Sequence, residues 1–155
     1  MIPCIPTERC LTEHSSVSPE ETEIWGEFLA EKLKPGSVIA LKGGLGAGKT
    51  CLVKGLARAL GVIDNITSPT YTIICEYNGY LNGKTVTLRH IDAYRLGGDE
   101  DFENTGAGDL IGDGITVIEW SERIPRSIPK DAITVDIEIT GPQSRLLRYH
   151  EPACH

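Results

Sequence analysis

The sequence predicts an α/β fold, three layers around a mixed central sheet, on three observations. The apolar run "SVIAL" (Ser37 to Leu41) leads straight into "GGLGAGKT" (Gly43 to Thr50), and that into an apolar segment at helical spacing. Two further apolar stretches, "TVTLRHID" and "ITVIE", each end on an acid. Turn signals at Asn82 and Gly83 and in "TGPQS" are flanked by strand-like residues, so hairpins accompany the parallel strands.

Taken in order, "SPEETEIWGEFLAEKLKPG" opens with Ser18 as N-cap, Pro19 in the first turn and Glu21 as capping-box acid. Ile24, Trp25, Phe28, Leu29 and Leu33 then predict one apolar helical face, stopped near Pro35 and Gly36. "SVIAL" is a short buried strand. "TCLVKGLARALG" places Leu52, Val53, Leu56, Ala57 and Leu60 on a helix ending on Gly61 as C-cap. "YTIICEY" (Tyr71 to Tyr77) and "TVTLRHIDAY" read as hairpin partners, and "ITVIEW" (Ile115 to Trp120) as a second buried strand. Residues 97–114, "GGDEDFENTGAGDLIGDG", lack periodicity and read as a mobile surface loop with one short helical turn at most. "AITVDIEI" and "RLLRYH" form the final hairpin.

At 155 residues the chain is expected to be a single domain spanning 1–155. Hydrophobic residues at 40% and charged residues at 24% are close to globular averages and suggest neither disorder nor a membrane span. With 22 acidic against 15 basic residues, the net charge of −7 opposes strong direct binding to a phosphate backbone. Cys4, Cys10, Cys51, Cys75 and Cys154 are odd in number and contain no C-x-x-C pair, which fits a reducing compartment rather than a disulfide framework or zinc site. "MIPCIPTERC" lacks the basic flank and apolar core of a signal peptide, so a cytoplasmic location is expected.

The chemistry is expected at the glycine loop. Gly43, Gly48, Lys49 and Thr50 satisfy G-x-x-x-x-G-K-[ST] in the order strand, loop, helix, where consecutive amides cradle phosphate oxygens. Lys49 would reach the β and γ phosphates of a nucleotide, and Thr50 would offer its hydroxyl to Mg²⁺. Such a site needs a carboxylate for the hydrated metal, and Asp92 and Glu119 end the strands from which one could come. Ser68, Pro69 and Thr70 sit where a switch-like loop would be expected, though a simple turn reads nearly as well. His90 reads as a packed or surface histidine with no ligand role. "DLIG" (Asp109 to Gly112) imitates a GTPase motif but follows no apolar strand, and no N-K-x-D signature is present.

"GGLGAGKT", "SPTYT", "HIDAYRL" and "IEW", in this order, resemble the TsaE (formerly YjeE) ATPases of bacterial tRNA threonylcarbamoyladenosine synthesis, from about residue 18 to residue 124. The resemblance implies a P-loop NTPase-like fold and a weak Mg-ATPase working with TsaB-like and TsaD-like proteins, touching tRNA only indirectly through that complex. It implies ATP or ADP held by Gly44, Leu45, Gly46, Ala47, Gly48, Lys49, Thr50 and Cys51, with Mg²⁺ at Thr50, Asp92 and Glu119. Lys49, Asp92 and Glu119 would be the catalytic set. Trp120 would pack beside the nucleotide, and Arg145 and backbone near Ser18 to Thr22 would approach it. The chain departs from the family at Gly44, usually Asp, and at Ala93, usually Leu, and its glycines and acids after Y-R-L stand where the family has a helical stretch. Two other readings remain at this point, a small-molecule kinase and a nucleotide-sensing adaptor without useful turnover. Against the kinase, residues 97–114 contain no Arg or Lys with which a lid could clamp phosphates.

Overall fold

The computed structural model describes residues 9–67 and 73–152. Its elements are β1 (Arg9–Ser16), α1 (Pro19–Ala30), β2 (Val38–Lys42), α2 (Lys49–Ala59), β3 (Ile74–Leu81), β4 (Lys84–Asp92), α3 (Asp99–Thr105), β5 (Ile115–Glu119), β6 (Ile133–Ile139) and β7 (Arg145–Pro152). One seven-stranded sheet runs β1-β7-β6-β2-β5-β4-β3. β2, β4, β5 and β6 are mutually parallel where they pair, while β3, β7 and β1 add antiparallel edges. The expected mixed α/β class is the one observed.

Strict alternation along the central strands sorts their side chains onto two faces. Ile39, Leu41, Leu88, Val117, Val135 and Tyr149 pack with α1 and α2. Val38, Ile91, Ile118 and Ile124 pack with Phe102 and Ala107 on the other side. Three layers follow from this.

Ser18 caps α1 as the sequence predicts, its hydroxyl accepting from Glu21 N at 3.1 Å. Of the predicted face, Leu29 and Leu33 are buried and Trp25 and Phe28 pack against the core, but Ile24 does not join them and small residues do. Thr22, Gly26, Leu29 and Ala30 face inward, and Ile24 is 55% exposed. The cause is the crossing with α2, where a Cβ on Gly26 would lie 2.1 Å from Leu52 O and one on Gly55 only 1.8 Å from Glu23 O. Two glycines let the backbones touch, and the helix turns to put its small residues there.

Three further differences have local causes. β1 was not expected, because "RCLTEHSS" is polar and its strand is made by antiparallel pairing with the distant β7, from Arg9↔Pro152 to Ser16↔Arg145. The first hairpin turns at Asn82 and Gly83 as predicted, with φ of 52° and 80°; β3 begins at Ile74, and Tyr71 and Thr72 of the predicted strand lie outside the described residues. Residues 97–114 are not an irregular loop: they contain α3 and a 3₁₀ turn, Ala107–Leu110. Phe102, 1% exposed, pins the segment to the sheet, and Asp99 Oδ1 accepts from the Ser127 amide at 2.9 Å and hydroxyl at 2.8 Å. A helix thus follows Y-R-L here despite the glycines.

Candidate functional site

β2 delivers the chain to the glycine loop at the carboxyl end of the parallel strands, where β4 and β5 also end. Gly43, Gly46 and Gly48 have φ of 154°, 77° and 104°, values an L side chain rarely adopts. A Cβ on Gly43 would also lie 2.9 Å from Ile137 O, so two constraints require glycine there. Gly44 has neither, and a Cβ added to it or to Gly46 meets nothing within 4 Å. The loop therefore has an open mouth at Gly44, Leu45 and Gly46. α2 begins behind it on Gly48, an N-cap that supplies no side-chain hydrogen bond to the first turn.

Lys49 is 6% exposed. Its Nζ donates to the carbonyls of Gly43 and Gly44, the latter at 3.2 Å, and stands 3.8 Å from the centroid of the Trp120 ring. Burial holds its pKa below the ordinary lysine value, opposed by the negative charges of Glu119, Glu122 and Asp92. An ammonium buried against carbonyls and a ring face is poised for an anion.

Register brings the two acids together. Asp92 on β4 and Glu119 on β5 are direct partners across the parallel ladder, on the α2 face of the sheet. Glu119 is 3% exposed, and its Oε2 accepts from Thr50 Oγ1 at 3.4 Å and contacts His90 Nε2. Asp92 Oδ1 accepts from the Tyr94 amide at 2.9 Å. Its pKa is raised by burial first, and the Tyr94 amide pulls the other way. Beyond Glu119 the chain turns through Trp120 at φ 58°, uncommon for a bulky residue, and Ser121 Oγ fastens the turn to Leu41 O at 3.1 Å. Tyr94 lies against Trp120, ring centroids 4.8 Å apart, with Arg123 over Tyr94 at 5.1 Å.

Arg145 stands at the side of the loop, but its guanidinium is engaged with backbone. Nε donates to Ala47 O at 3.0 Å and Nη2 to Gly46 O at 2.9 Å, while Nη1 donates to Gly141 O and Ser144 O at 3.1 and 2.8 Å. It clamps the loop to the β6–β7 turn. Cys51, its pKa raised by burial, borders with Pro19, Thr22 and Arg145 a cavity of about 250 Å³ beside the loop.

The residues singled out in the sequence thus gather about the loop: Lys49 reaches Trp120, Thr50 reaches Glu119, Asp92 is paired in register with Glu119, and Arg145 holds Gly46 and Ala47. Ser68, Pro69 and Thr70 lie outside the described residues. His90 is packed as expected, yet it also touches Glu119, a role that sequence reasoning missed because the partner is 29 residues away. Tyr94 and Arg123 were likewise missed, though both adjoin residues in the recognised motifs. Among the described residues no cluster of three or more His, Cys, Asp or Glu could hold a metal ion unaided. A hard cation that keeps its waters and takes oxygens from a bound anion is the kind these donors suit.

Sheet order, loop and acids together define a three-layer α/β protein whose candidate site lies between a glycine loop and two strand-end carboxylates. Within that class, the chain belongs to the TsaE family: residues 16–147 match the family described as threonylcarbamoyl adenosine biosynthesis protein TsaE. It is 41% identical over 138 residues to the tRNA threonylcarbamoyladenosine biosynthesis protein TsaE of Treponema pallidum, covering 88% of this chain and 96% of that one. Its identity to the protein of the same name from Bacillus subtilis is 36% over 135 residues, 86% and 82% of the two chains. The crystal structure of YdiB from the same bacterium superposes with a TM-score of 0.70 at 32% identity, covering 94% of this chain and 88% of that one.

Proposed function

We propose that this protein is a Mg-dependent ATPase of the machinery that adds threonylcarbamoyl to adenosine 37 of tRNA, supporting TsaB-like and TsaD-like partners rather than performing the transfer. The observation that carries the reading is the hydrogen bond between Thr50 at the head of α2 and Glu119, an acid 69 residues further on. It links the loop to a strand-end carboxylate before any ligand is considered.

When bound, ATP supplies a phosphoanhydride bond, and Mg²⁺ neutralises charge on its phosphate oxygens. The loop amides and the first turn of α2 hold the phosphate chain by hydrogen bonds and the helix dipole. Lys49 leaves its two carbonyl partners and places its charge on the terminal phosphates. Thr50 Oγ1 and Glu119 take the metal side, with Asp92 beside Glu119 to hold or orient water. Trp120 covers Lys49 and excludes solvent. Within the family setting the acidic net charge accords with a subunit that reaches tRNA only through its complex.

The test is ATP turnover measured with and without the two partner proteins. Lys49→Ala is expected to lower turnover about 100-fold or more and to abolish tRNA modification in cells at full expression. Normal modification with that variant removes ATP hydrolysis from the mechanism. Phosphate transfer to a metabolite instead of water in a panel assay makes the protein a small-molecule kinase.

A further inference from the structure

We propose that His90 is a positioning residue for Glu119, the device that makes a buried carboxylate a usable metal-side ligand. The inference rests on the nucleotide reading above and adds a residue to that site.

His90 is fully buried, on the same face of β4 as Leu88 and Asp92. Its Nε2 meets Glu119 Oε2, the oxygen that Thr50 also reaches at 3.4 Å. With Oε2 held by an imidazole that packing immobilises, the carboxylate is fixed in one orientation beside Thr50 at the head of α2. The Thr50 hydrogen bond, at 3.4 Å, is long, and His90 is the closer partner of that oxygen.

A second observation separates this from ordinary packing. Among the described residues, the buried His90 Nδ1 has no hydrogen-bond partner. An orphan polar atom is destabilising, and an apolar side chain would extend the row begun by Leu88 without that cost. The fold carries a destabilising side chain at the one place where it touches the acid facing the loop. Hydrogen-bond partners of metal-side ligands typically govern affinity or activity by about 10–100-fold.

The experiment compares His90→Leu, which removes the donor, with His90→Gln, whose amide nitrogen can reproduce the Nε2 contact. ADP binding is followed by tryptophan fluorescence at increasing Mg²⁺, and ATP turnover is measured in parallel. His90→Leu is expected to bind ADP without metal as the wild type does, within about twofold. The Mg²⁺ concentration for half-effect should rise about tenfold, and kcat should fall about tenfold with little change in KM. His90→Gln should recover most of both, and His90→Leu should add nothing in a Glu119→Gln background. Loss of metal-free ADP binding in a folded His90→Leu protein, no recovery in the Gln variant, or multiplying effects of the two substitutions would overturn the proposal. Lys49→Ala separates the two levels: if it leaves ADP binding intact the nucleotide reading fails, whereas if it abolishes binding and His90→Leu leaves the Mg²⁺ dependence unchanged, only the positioning role fails.

Discussion

Neighbouring residues of β4 enter two polar clusters on opposite faces of the sheet, and the clusters are built differently. Arg89 points away from the glycine loop, and its guanidinium meets Glu76 at 2.9 Å, Asp113 Oδ2 at 3.1 Å and the Asp113 carbonyl. Its partners are exposed, Glu76 by 52% and Asp113 by 83%, so each carboxylate keeps its water. His90 and Asp92 point toward the loop and, with Lys49 and Glu119, form a cluster in which a lysine and a glutamate are both buried. Lys49 is pushed down and Asp92 up, both chiefly by burial. The first cluster ties a hairpin to the fold. The second holds groups in states that water would relieve, which is what a ligand site needs and a structural ion pair does not.

That contrast can be broken from either side. The largest stability effect is expected from Phe102→Ala on the Arg89 face, where an almost wholly buried ring anchors α3: a loss of about 3–5 kcal/mol in chemical denaturation. A small loss would return residues 97–114 to the irregular loop that their composition suggests. Arg89→Met should cost less, about 1–3 kcal/mol, because the two carboxylates it leaves are in solvent and only its hydrogen bonds are forfeited.

On the loop face the sign should reverse. Burial raises the folded-state pKa of Asp92 above its ordinary 3.8, so ionisation is less favourable in the folded chain than in the unfolded one. This penalty is absent below the unfolded value, grows as pH rises toward the folded value, and is complete above it. Asp92→Asn removes the penalty and should raise the melting temperature at neutral pH, with a gain that vanishes on acidification toward 3.8. A melting temperature lowered at neutral pH would place Asp92 among the structural acids. The smallest effect is expected at the loop mouth, where Gly44→Asp meets open space and should change stability by less than about 0.5 kcal/mol.

What the sequence made legible follows the range of each interaction. The loop, β2, α2 and β5 are written in contiguous residues, so pattern and motif sufficed. β1 depends on β7, more than a hundred residues away, and its own polar alternation carries little signal. α3 has one buried apolar residue, Phe102, between acids and glycines, too few for a period to show. The turned face of α1 was hidden because Thr22 and Gly26 are not apolar, although Gly26 is what the crossing needs. At the site, Asp92 and Glu119 were found as strand ends, but only register makes them neighbours. Arg145 was reached through resemblance alone, and its four backbone acceptors could not be read from sequence.

The most direct test uses the two tryptophans. In Trp25→Phe protein, Trp120 is the only indole, and Lys49 Nζ lies over its ring at 3.8 Å. If the loop, the lysine and the two acids are one nucleotide site, ADP with Mg²⁺ draws Lys49 from that ring and changes the emission, and Lys49→Ala abolishes the response. Emission unchanged by ADP and Mg²⁺, while an independent assay registers binding, would place the nucleotide elsewhere and contradict the account.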